Sequence, residues 1–159
     1  MIQGFHHVAI STPDLERARD FYCGLLGFEQ VMTMGYERSG TPRPHLQADD
    51  GAARGVVIRA GFVHLEIVEY SYPVPNPIDP RRQVVDHGLA HLSFQVTHLE
   101  SEYARLCEAG MVFHSEPMQG IDEGSLFVYG RDPDGNVLEF IEFGPVATFP
   151  AVYSQAAPD

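Results

Sequence analysis

Tryptophan is absent from this chain of 159 residues, and cysteine occurs only at Cys23 and Cys107. Two cysteines on segments patterned as helices read as reduced thiols, not as a disulfide framework. Positive charge is scarce: ten Lys and Arg stand against 22 Asp and Glu, a formal net charge of −12. No basic face is available to meet phosphates, which excludes general nucleic-acid binding. No apolar run is long enough to span a bilayer. A strand pattern begins almost at once, leaving no room for a leader, so the expected address is cytoplasmic. GxSxG, P-loop and dinucleotide fingerprints are missing. DPDG at 132–135 has turn chemistry without the ligand spacing of an EF-hand.

What is present is a repeat. FHHVAISTPDLERARDFYCGLLGF (5–28) opens as a strand in which Val8 and Ile10 alternate with His7 and Ala9. Thr12 is a candidate helix cap and Pro13 suits the first helical position. Leu15, Ala18, Phe21, Tyr22, Leu25 and Leu26 follow at helical spacing, and Gly27 suits a left-handed stop. EQVMTMGYE (29–37) is the next expected strand, then a loop over Ser39–Gly55, then strands at Val56–Arg59 and Phe62–Tyr70 turning at Ala60-Gly61. SYPVPNPIDP is too rich in proline for regular structure.

From about Gly88 the pattern recurs. GLAHLSFQV sets His91 in the place of His7, and THLESEYARLCEAG follows as a helix with a capping box expected from Thr97 and Glu100. Later strands are expected near 112–113, 125–129 and 136–143. LEIVEY (65–70) answers LEFIEF (138–143). Two copies of one strand–helix–three-strand unit are therefore expected, module 1 about 4–72 and module 2 about 88–143, with a tail over 144–159. Phe149 and Tyr153 of the tail are candidates to pack on a neighbour.

Strand alternation sorts the polar residues. Leu65 and Ile67 share the greasy face, so Glu66 points away from the helix; Leu138 and Phe140 do the same for Glu139, and Leu92 and Phe94 for His91. His7, Glu66, His91 and Glu139 thus occupy equivalent positions on the side opposite the helices. Two imidazoles and two carboxylates suit Zn, Ni, Co, Mn or Fe without selecting one. Four protein ligands leave an octahedral ion two positions for water or substrate oxygens. A lone strand histidine is more often structural; the duplicated pattern is what raises this set above that base expectation. Glu69 and Glu142 recur too, on the helix side at strand ends, and are expected to be solvated. His64 shares the site face without a counterpart. His6 is expected on the helix side, and His45, His87, His98 and His114 at the surface. Arg43, Arg59, Arg81 and Arg82 are candidates to meet a substrate carboxylate, thiol conjugate or phosphate, against the plainer role of exposed solubilising charge.

At HVAISTPDLERARDFYCGLLGF and RDPDGNVLEFIEF the chain resembles the vicinal oxygen chelate superfamily, which includes glyoxalase I, methylmalonyl-CoA epimerase, extradiol dioxygenases and antibiotic-binding resistance proteins. The resemblance runs to about residue 143. It implies an α+β fold of two tandem βαβββ modules forming a cupped, incomplete barrel around a divalent metal held by His7, Glu66, His91 and Glu139. For the metal-dependent isomerases and lyases it implies a small substrate with vicinal oxygens, proton removal beside a carbonyl, and Glu139 or Glu66 as the base, with a homodimer expected. An Fe(II) extradiol dioxygenase is the alternative enzyme. Glu66 weighs against it, because a carboxylate there would occupy an oxygen-binding position. A non-catalytic resistance-type binding protein is the third alternative; such proteins usually lack the metal residues, and all four are present here.

Overall fold

The computed structural model describes residues 1–79, 81–146 and 148; the expectations at Phe149 and Tyr153 lie outside them. The chain divides into two compact units, Met1–Ile78 and Asp79–Asp159.

In the first unit the order is β1 (His7–Ser11), α1 (Leu15–Arg19), β2 (Glu29–Tyr36), β3 (Ala52–Ala60) and β4 (Val63–Tyr72). The sheet order is β1-β4-β3-β2. β1 runs parallel to β4, placing His7 opposite His64 and Ala9 opposite Glu66. The helix start differs from expectation. Asp14, not Thr12, caps α1, its side chain accepting from Arg17 N–H. Thr12 Oγ1 instead accepts from the Asp14 amide at 3.1 Å, which sets up the turn one step earlier. The helix widens into a π turn over Asp20–Leu25 and ends before Gly27 at φ 76°. Leu15, Ala18, Phe21 and Tyr22 are buried with Leu65, Ile67, Val56 and Ile58. Each buried Leu, Ile, Val or Phe among them contributes about 1.5–3 kcal/mol on leaving water.

β3 begins earlier than the sequence suggests, taking residues 52–55 out of the expected loop. Gly55 permits this: a Cβ there would meet the Ile67 carbonyl at 2.7 Å. A chain that weak in β propensity becomes strand because both neighbours supply ladder partners, Tyr36, Gly35 and Met34 on one side and Tyr70, Glu69 and Val68 on the other.

The second unit repeats the plan with β5 (Leu92–Gln95), α2 (Leu99–Glu108), β6 (Val112–Phe113), β7 (Met118–Gln119), β8 (Leu126–Arg131) and β9 (Val137–Glu142). Its sheet order is β5-β9-β8-β6, with β7 paired to β8. β5 is parallel to β9, setting Ser93 opposite Glu139, the same register as Ala9 with Glu66. Leu99 and Leu106 of α2 are buried with Val128, Leu138 and Phe140. β5 is shorter than expected and His91 lies just ahead of it; β7 is not among the expected strands.

The repeated glutamates Glu69 and Glu142 are half-buried and bonded to backbone amides, not the free solvated charges expected. Glu142 accepts from the backbone N–H of His98 at 3.0 Å and of Leu99 at 2.8 Å. Glu69 accepts from Leu15 N–H at 2.8 Å and from Arg54 at 2.8 Å. Each is therefore the carboxylate at the N-terminus of its unit's helix, delivered by the last strand. This displaces the expected Thr97–Glu100 box: His98 takes the cap position at φ 56°, with no side-chain cap bond of its own.

Candidate metal centre

Each unit brings one histidine to one glutamate. His7 Nε2 lies 3.3 Å from Glu66 Oε2, and His91 Nε2 lies 3.5 Å from Glu139 Oε2. Both gaps exceed a well-formed charge-assisted hydrogen bond. Among the described residues no three His, Cys, Asp or Glu side chains gather into a metal cluster. The equivalence of the two pairs is one of register: His7 opens the parallel edge strand β1, His91 immediately precedes β5, and each glutamate comes from the neighbouring strand.

The surroundings of the pairs differ. His7 Nδ1 is 2.8 Å from His6 Nδ1, so one ring carries the shared proton, and the His6 ring stacks on His64 at 6.0 Å. His6 is thus an exposed neighbour of the site face and not a helix-side residue. His91 has no such partner: its Nδ1 is buried and unbonded. His45, His87, His98 and His114 are exposed.

The second pair opens into a cavity of about 400 Å³, lined by His91 and Glu139 together with Ser93, Tyr129, Phe127 and Ile141, among others. Phe127, Tyr129, Glu139 and Ile141 are odd-numbered residues of β8 and β9, so alternation brings them out on one face; Ser93 of β5 pairs with Glu139. Tyr129 sits directly opposite Glu139 across the β8–β9 ladder, its ring 5.2 Å from that of His91. Burial pushes the Tyr129 phenol up from its ordinary pKa, and the adjacent Glu139 carboxylate adds to the rise. Tyr129 was not among the sequence candidates. The signal for it was available in LFVYGR, whose period of two places it on the Glu139 side.

Across the ladder Glu66 faces Val57, not a tyrosine; its carboxylate contributes, after burial and Tyr36, to the raised pKa of the Tyr70 phenol. The Glu66 side chain is 29% exposed against 14% for Glu139.

The donor set fits a divalent cation. A neutral imidazole nitrogen and a carboxylate oxygen both present lone pairs, and at these separations a proton or a cation must lie between them. The unbonded Nδ1 of His91 means that no acceptor in its unit fixes which ring nitrogen carries the proton.

Comparison with known proteins agrees with this architecture. Residues 4–140 match the Glyoxalase/Bleomycin resistance protein/Dioxygenase superfamily, and the chain belongs to it. It is 33% identical over 155 residues to a 2-epi-5-epi-valiolone epimerase from an Actinomyces species, covering 91% of this chain and 81% of that protein. A glyoxalase family protein from Bacillus cereus shares the fold with a TM-score of 0.76 at 19% identity, over 89% of this chain and 95% of that one. The fosfomycin resistance protein FosX of Listeria monocytogenes, solved with Mn(II) and sulfate, shares it with a TM-score of 0.61 at 15% identity, over 91% and 95%. The expected fold class, two tandem βαβββ modules of the glyoxalase type, is that of the protein.

Proposed function

We propose that the protein is a divalent-metal-dependent epimerase or isomerase that moves a proton on a carbon beside a carbonyl. The observation that carries the proposal is the duplicated His–Glu pair at one register in both sheets. The epimerase relative supports the reaction type, and the Mn(II) complex of FosX shows that the fold can hold such an ion. His7, Glu66, His91 and Glu139 are the proposed donors. When bound, the ion would act as a Lewis acid on neighbouring substrate oxygens.

The chain's own residues divide the remaining work. Glu139, less exposed and faced by the Tyr129 phenol, is held in place. Glu66, the more exposed of the two carboxylates and faced across the ladder by Val57, is assigned the proton transfer. Phe127, Ile141 and Phe143 give the second unit's cavity an apolar wall beside His91 and Glu139.

The test is isotope exchange. Purified protein loaded in turn with Ni, Co, Zn, Mn or Fe(II) is incubated with 2-epi-5-epi-valiolone in deuterated water and followed by NMR. Deuterium at the carbon beside the carbonyl, lost in Glu66→Gln, is the expected result. No exchange with any metal, either from this ketone or from an α-hydroxy thioester or α-branched acyl-CoA, would remove the proposal. Oxygen uptake with catechols under Fe(II) would move the protein to ring cleavage instead.

A further inference from the structure

Of the four arginines that the sequence offers as ligand contacts, three are committed. Arg59 pairs with Glu29, Arg81 with Asp79, and Arg82 donates to the Leu89 carbonyl at 2.8 Å. In the first unit Arg19, Arg38 and Arg54 are likewise held by carboxylates. Arg43 pairs with no carboxylate among the described residues, in a chain where acidic residues outnumber basic ones 22 to 10. Its Nε is buried and has no hydrogen-bond partner.

Arg43 is nonetheless fixed. Its guanidinium carbon lies 4.3 Å from the centroid of the Tyr36 ring. The stack is built around Gly51, where a Cβ would come within 3.1 Å of Arg43 Cγ, 3.2 Å of Tyr36 Cε2 and 2.9 Å of Leu46 Cδ1. The Arg43 amide donates to the Ala48 carbonyl at 2.8 Å, closing the loop that holds the short 3₁₀ turn Pro44–Leu46. Asp50 anchors the loop's other end, accepting from the Ser39 and Gly51 amides and from Arg38. Arg38 supplies the contrast: it also stacks on a tyrosine, Tyr72, at 4.1 Å, but Asp50 neutralises it.

Register decides which face this arm serves. Tyr36 pairs with Ala53, and Ala53 with Tyr70. Ala53 and Val57 share a face of β3, and Val57 pairs with Glu66. Tyr36, Tyr70 and Glu66 therefore line the same face, the one that carries the His7–Glu66 pair. Four residues along β3 separate the Tyr36 row from the Glu66 row, about 13 Å. A planar cation pinned on an aromatic ring, with its terminal N–H groups uncommitted, is preorganised for an oxyanion.

We propose that Arg43 on Tyr36 binds a carboxylate or phosphate group of the ligand, at the end remote from the His7–Glu66 pair. The inference rests on the proposed function only in taking that group to be part of the natural substrate, which then carries an oxyanion that the neutral probe 2-epi-5-epi-valiolone lacks. The oxyanion site itself does not depend on it.

The test uses the metal-free full chain and needs no turnover. Nε–H resonances of the arginines are followed by NMR at low ionic strength while inorganic phosphate or malonate is added. The expected result is a saturable shift of the Arg43 signal with at least one of the two, with Arg38 and Arg59 unmoved. Isothermal titration of the same anion should be at least about tenfold weaker in Arg43→Met, and intermediate in Arg43→Lys, which keeps the charge but not the planar fork. Arg82→Met should bind as wild type. Phosphate acting alone assigns a phosphate group, malonate alone a carboxylate. An Arg43 signal that neither anion moves, or affinity unchanged in Arg43→Met, overturns the inference. Anion binding without isotope exchange would discard only the proposed reaction; exchange without anion binding would discard only this site.

Discussion

Replacing Glu142 by Ala should destabilise the protein although the residue lies outside the proposed chemistry. Its carboxylate accepts two backbone N–H groups, those of His98 and Leu99, at the start of α2. Hydrogen bonds to a charged group contribute about 1.5–3 kcal/mol each. That sum is an upper limit, because the side chain is only half-buried and water can replace part of what is lost. Measured cap replacements, about 0.5–2 kcal/mol, bound it from below, and interaction with the helix dipole adds about 0.3–1 kcal/mol. The expected loss is about 2 kcal/mol. For a chain of this size that lowers Tm by about 4–8 °C. Glu142→Gln keeps an acceptor but no charge and should lose about half as much. The assay is urea unfolding followed by far-UV circular dichroism, with thermal melts alongside. His98 supplies no side-chain cap, so nothing local substitutes for the carboxylate. A Glu142→Ala protein within about 0.5 kcal/mol of wild type, the ordinary scatter of surface substitutions, would refute the capping role.

Three further outcomes follow from contacts described above or beside them. Gly144→Ala should cost more than about 2 kcal/mol in urea unfolding, because a Cβ there would meet the Glu123 carbonyl at 2.1 Å and the backbone has to move. Asp50 is lowered from 3.8 to about 2, first by the Ser39 amide. Its contribution is present above the unfolded value of 3.8 and is lost as pH falls toward about 2, so Asp50→Asn should flatten the acid limb of stability between those values in pH-dependent urea unfolding. Tyr129→Phe should lower kcat/KM by about tenfold or more while leaving Tm within a few degrees, measured by steady-state kinetics and calorimetry, because it removes the polar group facing Glu139 and little packing.

Much of the candidate site could be read from alternation alone. A period of two in HVAI, LEIVEY and LEFIEF is enough to put His7, Glu66 and Glu139 opposite the greasy face, and the structure brings His7 to Glu66 and His91 to Glu139. Alternation names a face, however, and not what meets it. Glu69 and Glu142 lie on the helix side as alternation predicts, yet not as free solvated charges, because their partners are amides 54 and 43 residues away. The helix starts depart from expectation as well: Thr12 and Thr97 are good caps by type, but Asp14 caps one helix locally and a distant glutamate serves the other. Arg43 was indistinguishable from Arg59, Arg81 and Arg82 in the sequence, since pairing depends on which carboxylate each one reaches.

The paired glutamates also explain how one copy of the unit could acquire a loop that the other lacks. Each works as a clasp, tying the strand that ends its unit to the helix near its beginning. The clasped segment spans 54 residues in the first unit and 43 in the second. Loop-closure entropy grows only with the logarithm of length, so the longer segment costs about 0.2 kcal/mol more to close. With the ends fastened, chain can be added between them at almost no expense to stability. The arm that presents Arg43 stands on such added chain, so the first unit can vary what it grips while its sheet and its His–Glu pair stay where they are.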